Sequence, residues 1–157
     1  MDSLSEFSKI KRLTEGWPEG ISYNTGDKEI DDYYDKNNGA VSKRTSFFYK
    51  KRLLDIFIYA MAIGKKLGKH TSFTDRSYSM PVDALKEDEI WLMISVALSE
   101  KNNDLKLFEN PKEIVRTCEE YANAGIKPLI ELDRITSIDN PNGSFEEKLQ
   151  ELLKDLN

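Results

Sequence analysis

Residues 49–70 read YKKRLLDIFIYAMAIGKKLGKH, and the reading of this stretch decides the fold. Twelve mostly apolar residues, Leu53 to Gly64, lie between two clusters of lysine and arginine. A membrane crossing takes about 20 consecutive apolar residues, whereas a run of about 10–14 is more often a buried core helix. This run is short and Asp55 interrupts it, so it is not a span. Placed at about 100° per residue, Leu53, Leu54, Ile56, Phe57, Ala60, Met61 and Ile63 cover most of a helical circumference. Lys51, Arg52, Asp55, Tyr59, Ala62 and Lys66 fill the narrow remaining sector. A helix apolar on most sides is a central one, surrounded by others, and Gly64 and Gly68 are expected to stop it.

Toward the C-terminus, KKLGKHTSFTDRSYSMPVDAL (65–85) has no period, with room for a small hairpin at most. A connection this long without regular structure is commonly functional or ordered by a partner. KEDEIWLMISVALSEKNN (86–103) predicts a second central helix, with Glu87, Asp88 and Glu89 suited to the positive end of its dipole. Asn110-Pro111 supplies a cap followed by proline at the first helical position. Ile114, Val115, Cys118, Tyr121 and Ala122 then form one apolar stripe, which Gly125 is expected to end. Pro128 is expected to open a short helix through Leu129, Leu132 and Ile135. SFEEKLQELLKDLN (144–157) pairs Ser144 with Glu147 as a capping box, ahead of a stripe of Phe145, Leu149, Leu152, Leu153 and Leu156. Nothing after residue 82 has the pattern of a strand.

Toward the N-terminus, Leu4, Phe7, Ile10 and Leu13 predict a short amphipathic helix ahead of the Gly16-Trp17-Pro18 break. EGISYNTGDKEIDDYYDKNNGA (19–40) is rich in Gly, Asn and Asp, and is expected to be a loosely ordered arm pinned by Trp17, Tyr23, Tyr33 or Tyr34. DDYYDKNNG offers no EF-hand, because no register supplies the ligands, the sixth-position Gly and a twelfth-position Glu together. The expected fold is all-α, a single-domain bundle of five or six helices with a partly irregular acidic arm over 1–40 and a helical domain over 41–157.

A chain of 157 residues with 39% hydrophobic content can bury a real core. Its net charge of −5 argues against a uniformly basic coat for nucleic acid. The average conceals a segregation. Residues 41–70 hold eight bases (Lys43, Arg44, Lys50, Lys51, Arg52, Lys65, Lys66 and Lys69) against Asp55 alone, while each flanking region is net acidic. Cys118 is the single cysteine, and the opening MDSLSEFSKIKRL is polar and mixed in charge, so no internal disulfide and a cytoplasmic location are expected.

Residues able to carry chemistry are few. His70, the single histidine, ends a basic stretch; a solvated loop histidine is the expectation. Cys118 falls on an apolar stripe and is expected to be a buried structural thiol. One His and one Cys make no structural zinc site, and no phosphate-binding or nucleophile motif is present. No enzyme activity, cofactor or metal is expected. Asp55, one turn from Lys51 and Arg52, is expected in a local ion pair, with contact to a partner as the alternative. Lys50, Lys51 and Arg52 crowd the start of a helix, where cations meet the positive end of the dipole. That placement is locally unfavourable, so a phosphate backbone, an acidic protein surface or the chain's own Glu29, Asp31, Asp32 and Asp35 are candidates for the counter-charge. Phe47, Phe48 and Tyr49 are expected to anchor to the core, with stacking on bases the alternative.

The central pattern resembles a known family. LLDIFIYAMAIGKKLGK (53–69), a polar link, EDEIWLMISVAL (87–98) and then TCEEYANAGIKPL (117–129) are similar to the Dnd-system-associated protein 4 family. These are small proteins encoded beside the DNA phosphorothioation genes, which mark DNA with sulfur and support defence against invading DNA. The resemblance covers about Tyr49 to Leu156 and leaves the first forty residues outside. It carries over no catalytic residue, and it implies a cytoplasmic accessory component working with larger defence proteins at a DNA substrate.

The expected function is therefore a non-enzymatic interaction subunit binding a larger defence-system protein. The candidate binding residues are Lys50, Lys51, Arg52, Lys65, Lys66 and Lys69. The alternative is a DNA-binding helical module using the same residues, and a weaker one is an acidic inhibitor or immunity-type protein that mimics DNA.

Overall fold

The structure, a computed structural model, describes residues 3–139 and 144–155. Helices dominate it, as the sequence predicts: α1 (Ser3–Leu13), α2 (Lys28–Tyr33), α3 (Leu53–Leu67), α4 (Glu87–Glu100), α5 (Pro111–Asp139) and α6 (Ser144–Asp155). The strands β1 (Gly20–Ile21) and β2 (Met80–Pro81) pair antiparallel, Gly20 opposite Pro81 and Ile21 opposite Met80. The long link thus forms no hairpin of its own; its end pairs with the N-terminal arm instead. Packing groups the described residues into two compact units: those up to Ser22 with Tyr78–Glu119, and Tyr23–Ser77 with those from Glu120 onward.

In the first unit, α4 starts where the Glu89 carboxylate accepts the Lys86 backbone N–H at 2.9 Å. Its buried face is Ile90, Met93, Ile94, Val96 and Ala97. The expectation of a second central helix holds for that face only: Trp91 and Leu92 are 46% and 40% exposed. A helix apolar all round need not be buried all round; this one keeps a greasy strip facing out. Ile114, Val115 and Cys118 at the start of α5 are buried, as their stripe predicts, and the Cys118 thiol donates to the Met93 carbonyl at 3.2 Å. Burial pushes the thiol pKa upward and keeps it protonated, which fits a packing role. The buried Glu119 carboxylate accepts the Ser22 N–H at 2.7 Å, and Ser22 Oγ accepts the Tyr78 N–H at 2.8 Å.

In the second unit the arm is better ordered than its composition implies. Asp27 caps α2 by accepting the Ile30 N–H at 3.3 Å and pairs with Lys127 at 2.8 Å. Ile30 and Tyr34 are buried, and Tyr23 stacks on Tyr34 with ring centroids 4.3 Å apart. A turn-forming composition hid this helix because a single buried isoleucine leaves no periodic signal.

Helix α3 is the buried rod the sequence predicts, with Leu54, Ile56, Phe57, Ala60, Met61, Ile63 and Gly64 buried. Gly68, at φ 69°, ends it in the left-handed conformation typical of a helix C-cap. Gly64 does not end it, and Gly125 and Pro128 do not break α5, which runs unbroken through both. The physical reason is a backbone-to-backbone crossing. A Cβ on Gly64 would lie 2.7 Å from the Tyr121 carbonyl carbon, and one on Gly125 would lie 2.6 Å from the Gly64 nitrogen. The two glycines let α3 and α5 touch, so they are packing residues and not stops. Pro128 forgoes the hydrogen bond it cannot donate to Ala124, and the helix continues. In α6, Phe145 is fully buried; Leu149, Leu152 and Leu153 are half-buried. The side chain of Ser144 and residue Leu156, named in the capping box and the stripe, lie outside the described residues.

Candidate functional site

The segment before α3 closes into a loop. A short 3-10 turn spans Ala40–Ser42, and the Lys50 N–H donates back to the Val41 carbonyl at 2.9 Å, joining the two ends. Within the loop, turns are fixed by Ser46 N–H to Lys43 O at 3.0 Å and Tyr49 N–H to Ser46 O at 3.2 Å. Lys51 N–H to Phe48 O at 2.9 Å hands the chain to α3, where the Asp55 carboxylate accepts the Arg52 N–H at 2.8 Å.

The aromatic run anchors this loop, as expected. Phe48 is fully buried, edge-on to Tyr33 and Tyr59, and Phe47 stacks on Phe145 with centroids 4.0 Å apart. A buried carboxylate on α5 completes the anchor. Asp133 accepts from the Tyr33 hydroxyl at 2.6 Å, the Ser46 hydroxyl at 2.6 Å and the Phe47 N–H at 2.9 Å. Burial, and then the negative charge of Asp133, push the Tyr33 pKa far above its usual value, so the phenol remains a donor. Three donors on two oxygens satisfy a charge that would otherwise be unfavourable to bury.

The loop displays cations. Lys43, Arg44, Lys50 and Lys51 are exposed, and none has a carboxylate partner among the described residues. The Lys51 ammonium sits 4.4 Å over the Phe47 ring, and that of Lys50 lies 5.4 Å from the Tyr49 ring. Lys50 has φ 63°, the left-handed region, which costs an L-residue about 1–2 kcal/mol. The side chain is exposed, and the left-handed backbone lies where the Lys50 N–H closes the loop onto Val41.

Of the six residues picked from sequence, the structure brings Lys50 and Lys51 together on this loop and adds Lys43 and Arg44, which sequence reading counted but did not select. The closing bond from Lys50 to Val41 spans nine residues and leaves no local signal. Arg52 is turned along the helix to Asp55 (2.8 Å), the local pair expected. Lys65, Lys66 and Lys69 sit at the other end of α3, about 22 Å away at 1.5 Å per residue. Lys65 lies 5.1 Å from the Tyr121 ring centre, and Lys69 is exposed. The six therefore form two groups, not one patch. Three of the four acidic arm residues are engaged locally: Asp31 with Tyr23 at 3.1 Å, Asp32 with Lys28 at 2.9 Å, and Asp35 with the Asn37 N–H at 2.8 Å. His70 is exposed, 3.6 Å from Glu120 and edge-on to Tyr121. Among the described residues no group of three His, Cys, Asp or Glu side chains is placed to hold a metal, and no helix is long and apolar enough to cross a membrane.

The described residues define a predominantly helical protein whose distinctive charged surface is a fixed cationic loop. The chain belongs to the family of DNA sulphur modification system-associated protein 4, whose model matches residues 40–142. That span takes in the whole cationic loop and Asp133, and leaves Tyr33 outside. The chain has no match among curated proteins or among solved structures.

Proposed function

We propose that this chain is a non-enzymatic interaction subunit of a DNA sulphur modification system, presenting the loop Val41–Arg52 to an acidic surface of a larger protein of that system. One observation carries the reading: four exposed cations, unpaired with any described carboxylate, on a loop held by Asp133, an aromatic anchor and a strained Lys50. Preorganised charge gives specificity and association rate, because little ordering remains to be done on binding. Membership of the family supports the cellular context.

A second reading has its own support. Unpaired lysine and arginine side chains suit phosphates, which bind them without sequence preference, so the same loop would hold a DNA backbone. Capture from cells co-expressing the other components of the system separates the two. Under the first reading a larger component is retained after nuclease treatment and lost when Lys43, Arg44, Lys50 and Lys51 are all replaced by Glu. Under the second, retention disappears with nuclease and falls steeply with salt. A chain that remains alone in every arm, before and after charge reversal, defeats both.

A further inference from the structure

The chain holds two tryptophans, and both line concave surface on the first unit. Trp17 walls a cavity of about 470 Å³ with Pro18, Pro81 and Val82. Trp91 walls another of about 560 Å³ with Leu85. Ile10 of α1 lines both, so the two concavities flank it, and together they form the groove considered below. Each volume lies within the roughly 300–1,000 Å³ of ligand-binding clefts. Trp91 is also 46% exposed, so the apolar floor reaches open surface at its lip. Large apolar residues exposed at the lip of a concavity mark a contact surface.

The rim gives the occupant's chemistry. Glu19, Asp83 and Asp88 are exposed and have no cationic partner among the described residues, while Glu87 is held by Lys9 at 2.9 Å. Lys11 and Lys86 are the rim's cations, so acids outnumber bases around an apolar floor. The loop on the second unit attracts anions; this groove favours the opposite charge.

We infer that the groove docks a segment of another protein that carries two apolar anchor side chains flanked by lysine or arginine. The anchors occupy the concavities beside Trp17 and Trp91, and the flanking cations meet Glu19, Asp83 and Asp88. Apolar anchors seated in a groove carry most of the affinity, and the rim charges select the partner. This goes beyond the cationic loop and stands whether that loop meets protein or DNA.

Because both tryptophans line the groove, intrinsic fluorescence of the full chain reports its occupancy. The probe is a synthetic twelve-residue peptide with two leucines flanked by lysines, beside one sibling with glutamate for lysine and one with serine for leucine. The lysine–leucine peptide is expected to shift emission to the blue and to saturate. Trp91→Ala should weaken it about tenfold or more, and Asp83→Lys with Asp88→Lys should weaken it too, each variant keeping a native far-UV dichroism spectrum. Reversal of Lys43, Arg44, Lys50 and Lys51 should leave peptide binding unchanged, so failure of the loop and failure of the groove are read separately. Equal binding of either sibling, or affinity unaffected by Trp91→Ala, overturns the inference. So does sedimentation as a dimer that Trp91→Ala dissociates, which would make a second copy the occupant.

Discussion

Replacing Gly125 by alanine sets local propensity against packing, and the two predict opposite signs. Within a helix, Gly→Ala is favourable by about 1 kcal/mol, and α5 is helical on both sides of this position. The crossing opposes it. A Cβ at Gly125 would meet the Gly64 nitrogen at 2.6 Å, where ordinary contact starts at 3.4 Å, and the Ala60 carbonyl oxygen closer still, so the backbones must part by at least about 0.8 Å. No rotamer change relieves a clash between two main chains. A gap of that size forfeits roughly a third of the dispersion energy of the atoms that face it. With on the order of 60 facing atom pairs at roughly 0.15 kcal/mol each, the loss is about 3 kcal/mol. Subtracting the propensity gain leaves a net destabilisation of about 2 kcal/mol, or a melting temperature lower by about 4–8 °C for a chain this long. Gly68→Ala is the control: nothing lies within 4 Å of its Cβ, so only the left-handed backbone at φ 69° is strained, about 1 kcal/mol. Thermal and urea unfolding followed by dichroism measure both. A Gly125→Ala protein as stable as the parent, or more so, would falsify the crossing and return Gly125 to the role of an ordinary helix residue.

Lys50→Gly should raise stability by about 0.5–1 kcal/mol, relief of the left-handed strain exceeding the entropy glycine adds to the unfolded chain, whereas Lys50→Ala should not; urea midpoints of the two variants decide it. Asp133→Asn leaves one carbonyl oxygen where two oxygens accept three donors, so it should destabilise by about 2–4 kcal/mol and speed amide exchange at Phe47. An Asn variant that keeps parental exchange at Phe47 would show that the loop is held by its aromatic residues alone. The hydrogen bond from Lys127, with help from the Ile30 N–H, holds the Asp27 carboxyl below its ordinary 3.8. Its folded pKa lies below its unfolded one, so its contribution is present above about pH 4 and lost as pH falls through the folded value. Asp27→Asn keeps an N-cap acceptor and should flatten the loss of stability on acidification below pH 4, measured by urea unfolding across that range.

The sequence carried the helices wherever one face had to be apolar, and its misreadings share a cause. Periodicity reports which side chains seek burial, so α3, the start of α5 and the buried face of α4 are legible in residues such as Leu54, Ile90 and Ile114. Glycine and proline carry no side-chain preference of that kind; they report only what the backbone is permitted to do. Gly64, Gly68 and Gly125 look alike in the sequence, yet one caps a helix at φ 69° and two admit a neighbouring backbone. The difference lies in residues some sixty positions away, since Gly64 and Gly125 each make sense only when the other is in place. The cationic loop follows the same logic. Its charge was visible as eight bases in thirty residues, but its grouping depends on the Lys50 to Val41 closure and on Asp133, more than eighty positions beyond Ser46. That dependence separates the two clusters flanking α3. The C-terminal one follows a helix end set by Gly68, with Lys65 beside the Tyr121 ring, whereas the N-terminal one is held by Asp133 on a closed loop that includes a strained residue. The proposed interface is of the second kind, because a surface charge that only keeps a protein in solution has no use for a fixed geometry.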